Sequence, residues 1–264
     1  MKYDSELLTI ELKERKLLKA AARKRTSIID RKIQQYVPDN LKKTLNDMFE
    51  LAFRKIFQNG VELISITFDK NSPEEAEEML RKSKLAATFD TGMSFVTGTG
   101  LGLLGIGVPD IPVFTAMVLR NIYQIASAYG FDYRSRTEQV YILKVIKGAL
   151  ASGEEAETTA AETDRYADDV DLRGCVYDSW LGDELDEAAH ALADSMIYMK
   201  FVQGMPVVGA AGGISNALTM RKISRYADIK YHKRMVRKKL NNLEAEDSQE
   251  DNEKETLKEG KEKE

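Results

Sequence analysis

TGMSFVTGTGLGLLGIGVPDIPVFTAMVL (residues 91–119) holds six glycines (Gly92, Gly98, Gly100, Gly102, Gly105, Gly107), two prolines and a single charge, Asp110. Its richest window, Leu101–Leu119, has a mean hydropathy of roughly 1.8, in the range of membrane spans. Val108-Pro109-Asp110-Ile111-Pro112 cuts that window, removing backbone donors and placing a carboxylate at its centre. A second charge-free stretch, FVQGMPVVGAAGGISNALTM (201–220), contains Gly209, Gly212 and Gly213 and averages only about 1.1. Neither reads as a plain spanning helix. Three readings are open: glycines that let helices approach closely in a dense core, helical hairpins dipping into one leaflet, and a transmembrane pair, which Asp110 disfavours.

Outward from these stretches the chain reads as helix. Asp110 can cap a helix from about Ile111 to Tyr129, with Gly130 supplying a left-handed stop. Leu45, Met48, Phe49, Ala52, Ile56 and Phe57 fall on one helical face after Pro38-Asp39, and Asn59-Gly60 ends or kinks that helix. Leu17, Leu18, Ala21, Ala22, Ile28, Ile29 and Ile33 stripe a long basic helix upstream. Ser72-Pro73-Glu74-Glu75 is a helix start, with Ser72 accepting from free N–H groups and Glu75 closing a capping box. Further helices are expected over roughly 135–151, 154–168, 176–202 and 210–240. VELISITF (61–68) is the one strand candidate, and is taken as helix or turn. The expected class is therefore all-α, a multi-helix bundle with two glycine-rich apolar hairpin segments. Its organisation is a basic N-terminal helix (1–37), a helical domain (38–240) and a charged tail (241–264) too poor in apolar residues to order itself.

Charge is laid down in blocks that the net value of −4 conceals. Residues 1–43 carry twelve Lys/Arg against six Asp/Glu, and residues 221–239 carry nine against Asp228 alone. Between Glu154 and Asp194 stand fourteen acids opposed only by Arg165 and Arg173. The basic blocks can face an anionic membrane, or the acidic block of the same chain. Nucleic acid is not expected, because RKISRYADIKYHKRMVRKKL matches no groove-reading motif. One cysteine, Cys175, excludes an internal disulfide framework, and two histidines exclude a His-rich metal centre. The charged N-terminus MKYDSELLTIELKERK lacks an apolar signal region, so a cytoplasmic setting is expected, peripheral on the inner face of the membrane if lipid is contacted.

Both apolar stretches leave in a similar way: Leu119-Arg120-Asn121-Ile122 with Ala126, and Met220-Arg221-Lys222-Ile223 with Ala227. Each arginine is the first charge after its apolar run, where it can snorkel or pin the segment's end. VPDIPVFTAMVLRNIYQIASAYGFD (108–132) followed by MPVVGAAGGISNALTMRKISRYA (205–227) resembles the EcsC family of bacterial proteins. The matching elements are Asp110 and Pro112, Leu119-Arg120-Asn121-Ile122, Tyr129-Gly130-Phe131-Asp132, then Pro206, Gly209 and Asn216. The resemblance spans roughly residues 40–240. It implies a family named for a gene beside an ATP-binding-cassette transporter, whose own activity is not established, so a transporter is a partner it suggests and no catalytic residue carries over.

Motifs for catalysis fail on their surroundings. Gly100-Leu-Gly102-Leu-Leu-Gly105 has the dinucleotide spacing, but Pro109 and Pro112 interrupt the helix such a site needs. Glu187-Ala-Ala-His190 has the spacing of half a di-metal site and lacks a second pair. No phosphate-binding P-loop and no nucleophile elbow is present, and Cys175 has no His/Asp arrangement around it. No metal or cofactor is expected. Asp110, Arg120, Asp132 and Arg221 remain as a polar cluster: a buried Asp110 needs a cation, and the arginines are its candidates. Tyr177 and Trp180 can anchor a partner or pack in a core. The leading expectation is a non-enzymatic, membrane-peripheral or transporter-accessory protein that contacts lipid or an acyl chain through its glycine-rich segments. The alternatives are a soluble ligand binder or enzyme with a pocket near Asp110 and Arg120, and a soluble helical scaffold.

Overall fold

A computed structural model describes residues 2–22, 37–60, 110–175, 181–202 and 211–261, with only the backbone described at 2, 59–60, 110, 200–202, 211–216 and 247–261. The described residues form seven α-helices and no strand: α1 (Lys2–Ala22), α2 (Asp39–Lys55, continued by a π-helical turn Ile56–Gly60), α3 (Asp110–Ala128), α4 (Arg136–Leu150), α5 (Glu155–Asp171), α6 (Leu181–Val202) and α7 (Ala211–Lys261). The all-α expectation is met. The Ser72 helix start, VELISITF, Tyr177, Trp180, residues 28–33 and Gly98, Gly100, Gly102, Gly105, Gly107 and Gly209 lie outside the described residues. Gly212 and Gly213 fall in the first turn of α7, so the glycine-rich hairpins as such are not part of the description.

Local sequence sets the helix ends. Ser135 caps α4, its side chain accepting from the Glu138 N–H at 3.2 Å. Gly130, at φ 84°, closes α3 in a Schellman arrangement: Phe131 N–H donates to the Ala126 carbonyl and Gly130 N–H to the Ser127 carbonyl. Pro112 stands in the first turn of α3, where a missing N–H costs nothing. Helix α7 continues as helical backbone through Lys261, into the charged tail. Alternating Glu and Lys with no proline suits helix, while residues 241–246 are all exposed and add nothing to a core.

Side-chain partners fix the directions. Lys144 and Lys147 of α4 pair with Glu184 and Glu187 of α6, so these two helices run parallel. Glu138 of α4 meets Arg234 of α7, whereas Lys222 of α7 donates to the Leu150 carbonyl, so α4 and α7 are antiparallel. Asn121 of α3 meets Ser224 of α7, and Tyr129 meets Asp228 and stacks on His232, so α3 and α7 run parallel. Helix α4 is the centre, packed by α5, α6 and α7 and buried from Glu138 to Ile146. Helix α2 lays Leu41, Leu45, Met48, Phe49, Ala52 and Phe53 against α3 and α6. Ile111–Ala116, Val118 and Leu119 are also buried. The second half of the richest apolar window is therefore bundle core, and no helix among the described residues is long and apolar enough to cross a membrane.

Candidate functional site

Lys230, Lys233, Arg234 and Arg237 fall at i, i+3, i+4 and i+7 on α7, and Asp164, Asp168 and Asp171 at i, i+4 and i+7 on α5. Both sets therefore line one helical face, and the two faces meet. Lys230 Nζ donates to Asp164 Oδ1 at 2.6 Å and to the Ala160 carbonyl at 2.9 Å. Lys233 Nζ reaches Asp164 Oδ2 at 2.7 Å. Glu14 of α1 completes the square, its Oε1 2.5 Å from Lys230 and its Oε2 2.6 Å from Lys233. Arg237 pairs with Asp168 at 2.9 Å. The Lys230 side chain is 0% exposed, so its pairs with Asp164 and Glu14 are not solvated surface pairs.

Arg234 is the second hub. Its guanidinium donates to both Glu138 oxygens (3.0 and 2.8 Å) and both Asp171 oxygens (2.6 and 3.0 Å), and lies over the rings of Phe131 and Tyr141. Tyr231 adds a hydroxyl donor to Glu138 at 2.6 Å. Burial opposes the Arg234 charge, but Glu138 and Asp171 outweigh it and hold the guanidinium above its ordinary proton affinity. For Asp164, burial pushes the carboxyl up, and Lys230 and Lys233 together bring it below the usual carboxylate range. Every charge in the two hubs has an opposite partner, which is the arrangement of a clamp. A surface groove of about 400 Å³ opens beside it, between α1, α5 and α7. Glu11, Asp164, Asp168 and Asp169 face Arg165, Arg173, Lys233 and Arg237 across it.

Of the residues expected to form a polar cluster, Arg120, Asp132 and Arg221 have described side chains. Arg120 is half-buried on α3, and burial lowers its proton affinity. Asp132 is exposed and holds its own turn, accepting from the Arg134 N–H at 3.1 Å. Arg221 is exposed on α7. The side chain of Asp110, which opens α3, lies outside the described residues. His190 is exposed and sits 3.6 Å from Asp194, while Glu187 bonds Lys147. No group of three or more metal-ligating side chains occurs among the described residues.

Sequence reasoning weighed internal complementarity of the charge blocks without naming the pairs. The matched i, i+4, i+7 spacings were the available signal for Lys230, Arg234, Arg237, Asp164, Asp168 and Asp171. Nothing marked Glu14, one of four acids on α1, or Glu138, an acid in the first turn of α4.

The parallel pairing of α3 and α7 bears on the apolar stretches. Asn121 stands eleven residues from the start of α3, and its partner Ser224 thirteen from the start of α7. The starts of both helices therefore lie at one end of the bundle, and each is where an uncharged, glycine-rich stretch enters.

The EcsC protein family matches residues 4–236. The chain is 26% identical over 196 residues to the uncharacterized protein YdbA of Bacillus subtilis (strain 168), covering 68% of this chain and 70% of that one. It is 24% identical over 144 residues to the protein EcsC of the same organism, covering 53% of this chain and 56% of that one. No solved structure matches.

Proposed function

Given that the chain belongs to the EcsC protein family, we propose that it is a non-enzymatic, membrane-peripheral helical protein that contacts lipid or an acyl chain. The contact is made by the uncharged glycine-rich stretches, at the end of the bundle where both enter. The observation that carries this reading is the parallel pairing of α3 and α7 through Asn121 and Ser224, with the oxygens 2.5 Å apart. It sets the starts of α3 and α7, which these stretches precede in the sequence, at one end of the bundle. Lys230, Lys233, Arg234 and Arg237 are engaged internally, so attraction to anionic headgroups falls to Lys13, Arg15, Lys16 and Lys19, which are exposed on α1. Anionic lipid is the proposed partner, with a membrane-embedded transporter as the protein partner that the family resemblance suggests.

Flotation tests this. The purified chain should rise with vesicles of phosphatidylglycerol and phosphatidylethanolamine, and a Leu103→Glu/Leu104→Glu variant with unchanged thermal stability should stay at the bottom of the gradient. A wild-type chain that stays at the bottom, and carries no lipid in native mass spectra, overturns the reading.

A further inference from the structure

The two halves of α1 are fastened by different means. Leu17 and Leu18 pack on the main core, and the Ala21 carbonyl accepts from the Gly153 N–H. From Tyr3 to Glu14 the helix rests on a separate small cluster, Ile10 with Ile229 and Val236. Glu6, 2.7 Å from His232 Nε2, and Glu14 on the two lysines supply the rest of the hold. Glu11 overhangs the groove.

Without this arm, the charge beneath it does not balance. Lys230 together with the four cations of the groove makes five positive charges, against the three α5 carboxylates Asp164, Asp168 and Asp169. Glu11 and Glu14 close the difference. Glu14 also bridges Lys230 and Lys233 with one oxygen on each, the two-point contact that a phosphate group makes with paired cations. Arg165 and Arg173 are exposed at the groove, so a soluble or surface-borne anion has an approach from solvent to Lys233.

We propose that the Tyr3–Glu14 arm of α1 is an intramolecular strap whose Glu14 carboxylate fills a phosphate-binding site formed by Lys230 and Lys233. A phosphate group entering through the groove competes with Glu14 and releases the arm, which pivots where Leu17, Leu18 and Ala21 stay anchored. This inference stands apart from the lipid reading above, because the phosphate can belong to a soluble molecule.

The test uses the full chain, wild type and Glu11→Gln/Glu14→Gln. The probes are inorganic phosphate titrated against chloride at constant ionic strength, and vesicles of phosphatidylglycerol compared with phosphatidylcholine. In the wild type, phosphate should speed amide exchange over residues 3–14 and leave α4 unchanged. In the double variant that exchange should already be fast, and binding should tighten on the order of tenfold. If the double variant does not fold, Ile10→Ala loosens the arm without unpairing a lysine and is read the same way. Binding of free phosphate assigns a soluble ligand, and binding of phosphatidylglycerol vesicles alone assigns a headgroup; either supports the strap. A folded variant whose arm exchanges fast while neither probe binds better than to wild type overturns the proposal. So does an arm that stays protected in both variants, or phosphate binding that survives Lys230→Gln/Lys233→Gln.

Discussion

Gly148 of α4 faces the ring of Tyr226 on α7 so closely that a methyl group on Gly148 would stand 2.5 Å from the tyrosine hydroxyl oxygen and 2.9 Å from the carbon bearing it. The contact sets the spacing of the two central antiparallel helices. Tyr226 is 1% exposed and cannot swing into solvent. Gly148→Ala should therefore destabilise the chain by about 1–3 kcal/mol, despite alanine's better helix propensity. Denaturant unfolding measures the loss, and adding Tyr226→Phe, which removes the nearest atom, should recover part of it. A neutral Gly148→Ala would mean that α4 and α7 separate easily.

Gly130 is the opposite case. A methyl there meets nothing within 4 Å, but φ is +84°. Gly130→Ala should cost about 1 kcal/mol through backbone strain alone. No second substitution nearby should rescue it, since no neighbour is displaced. Thermal melts of the variant alone and combined with Tyr129→Phe check both statements.

Arg234→Met should be among the most damaging single changes. It leaves Glu138 and Asp171 facing each other without their shared cation, and breaking a buried pair in this way costs about 3–5 kcal/mol. Adding Glu138→Gln and Asp171→Asn should restore much of the stability, because the cost lies in the stranded carboxylates. Equal stability of the single and triple variants would place the loss in packing against Phe131 and Tyr141 instead.

Deleting residues 244–264 should change unfolding free energy by no more than about 0.5 kcal/mol. Residues 241–246 are exposed, and Leu243, at 44% exposure, is the last large apolar side chain described on α7. Helical backbone with no buried face adds no tertiary stability. A substantially lower melting temperature would show that the tail packs.

The fold class was legible because periodicity and stop signals are local. Leu45, Met48, Phe49 and Ala52 declared the buried face of α2, and Gly130 declared the end of α3 before any packing was known. In the tail, composition measures the power to build a core, whereas its Glu and Lys also favour helix. The polar cluster proposed around Asp110 and Arg120 came from position beside apolar sequence, which says nothing of what a side chain meets across the bundle. The clamp is a long-range object: Glu14 and Lys233 are separated by 219 residues, and no local pattern singles out one glutamate in ELKERK. Only the repeated spacing on α5 and α7 carried a trace of it.

Acid should open the clamp at a pH set by Asp164. Its carboxyl is below the ordinary value in the folded chain, with burial opposing and Lys230 and Lys233 prevailing. Its contribution to stability is thus complete above the unfolded value of about 3.9 and is lost as pH falls through the lower folded value. Asp168 and Glu184 act in the opposite sense. Burial raises both carboxyls, so the folded chain takes up their protons first and stability gains slightly as pH falls through their folded values. Glu138, raised by burial as well, acts in the same sense as these two, so the loss of stability below the unfolded carboxylate value of about 3.9 is the part that Asp164 contributes. Asp164→Asn should be less stable than wild type at pH 7, with a shallower fall below pH 4. Urea unfolding of both chains across this range decides the matter, and parallel profiles would remove Asp164 as the acid-sensitive group.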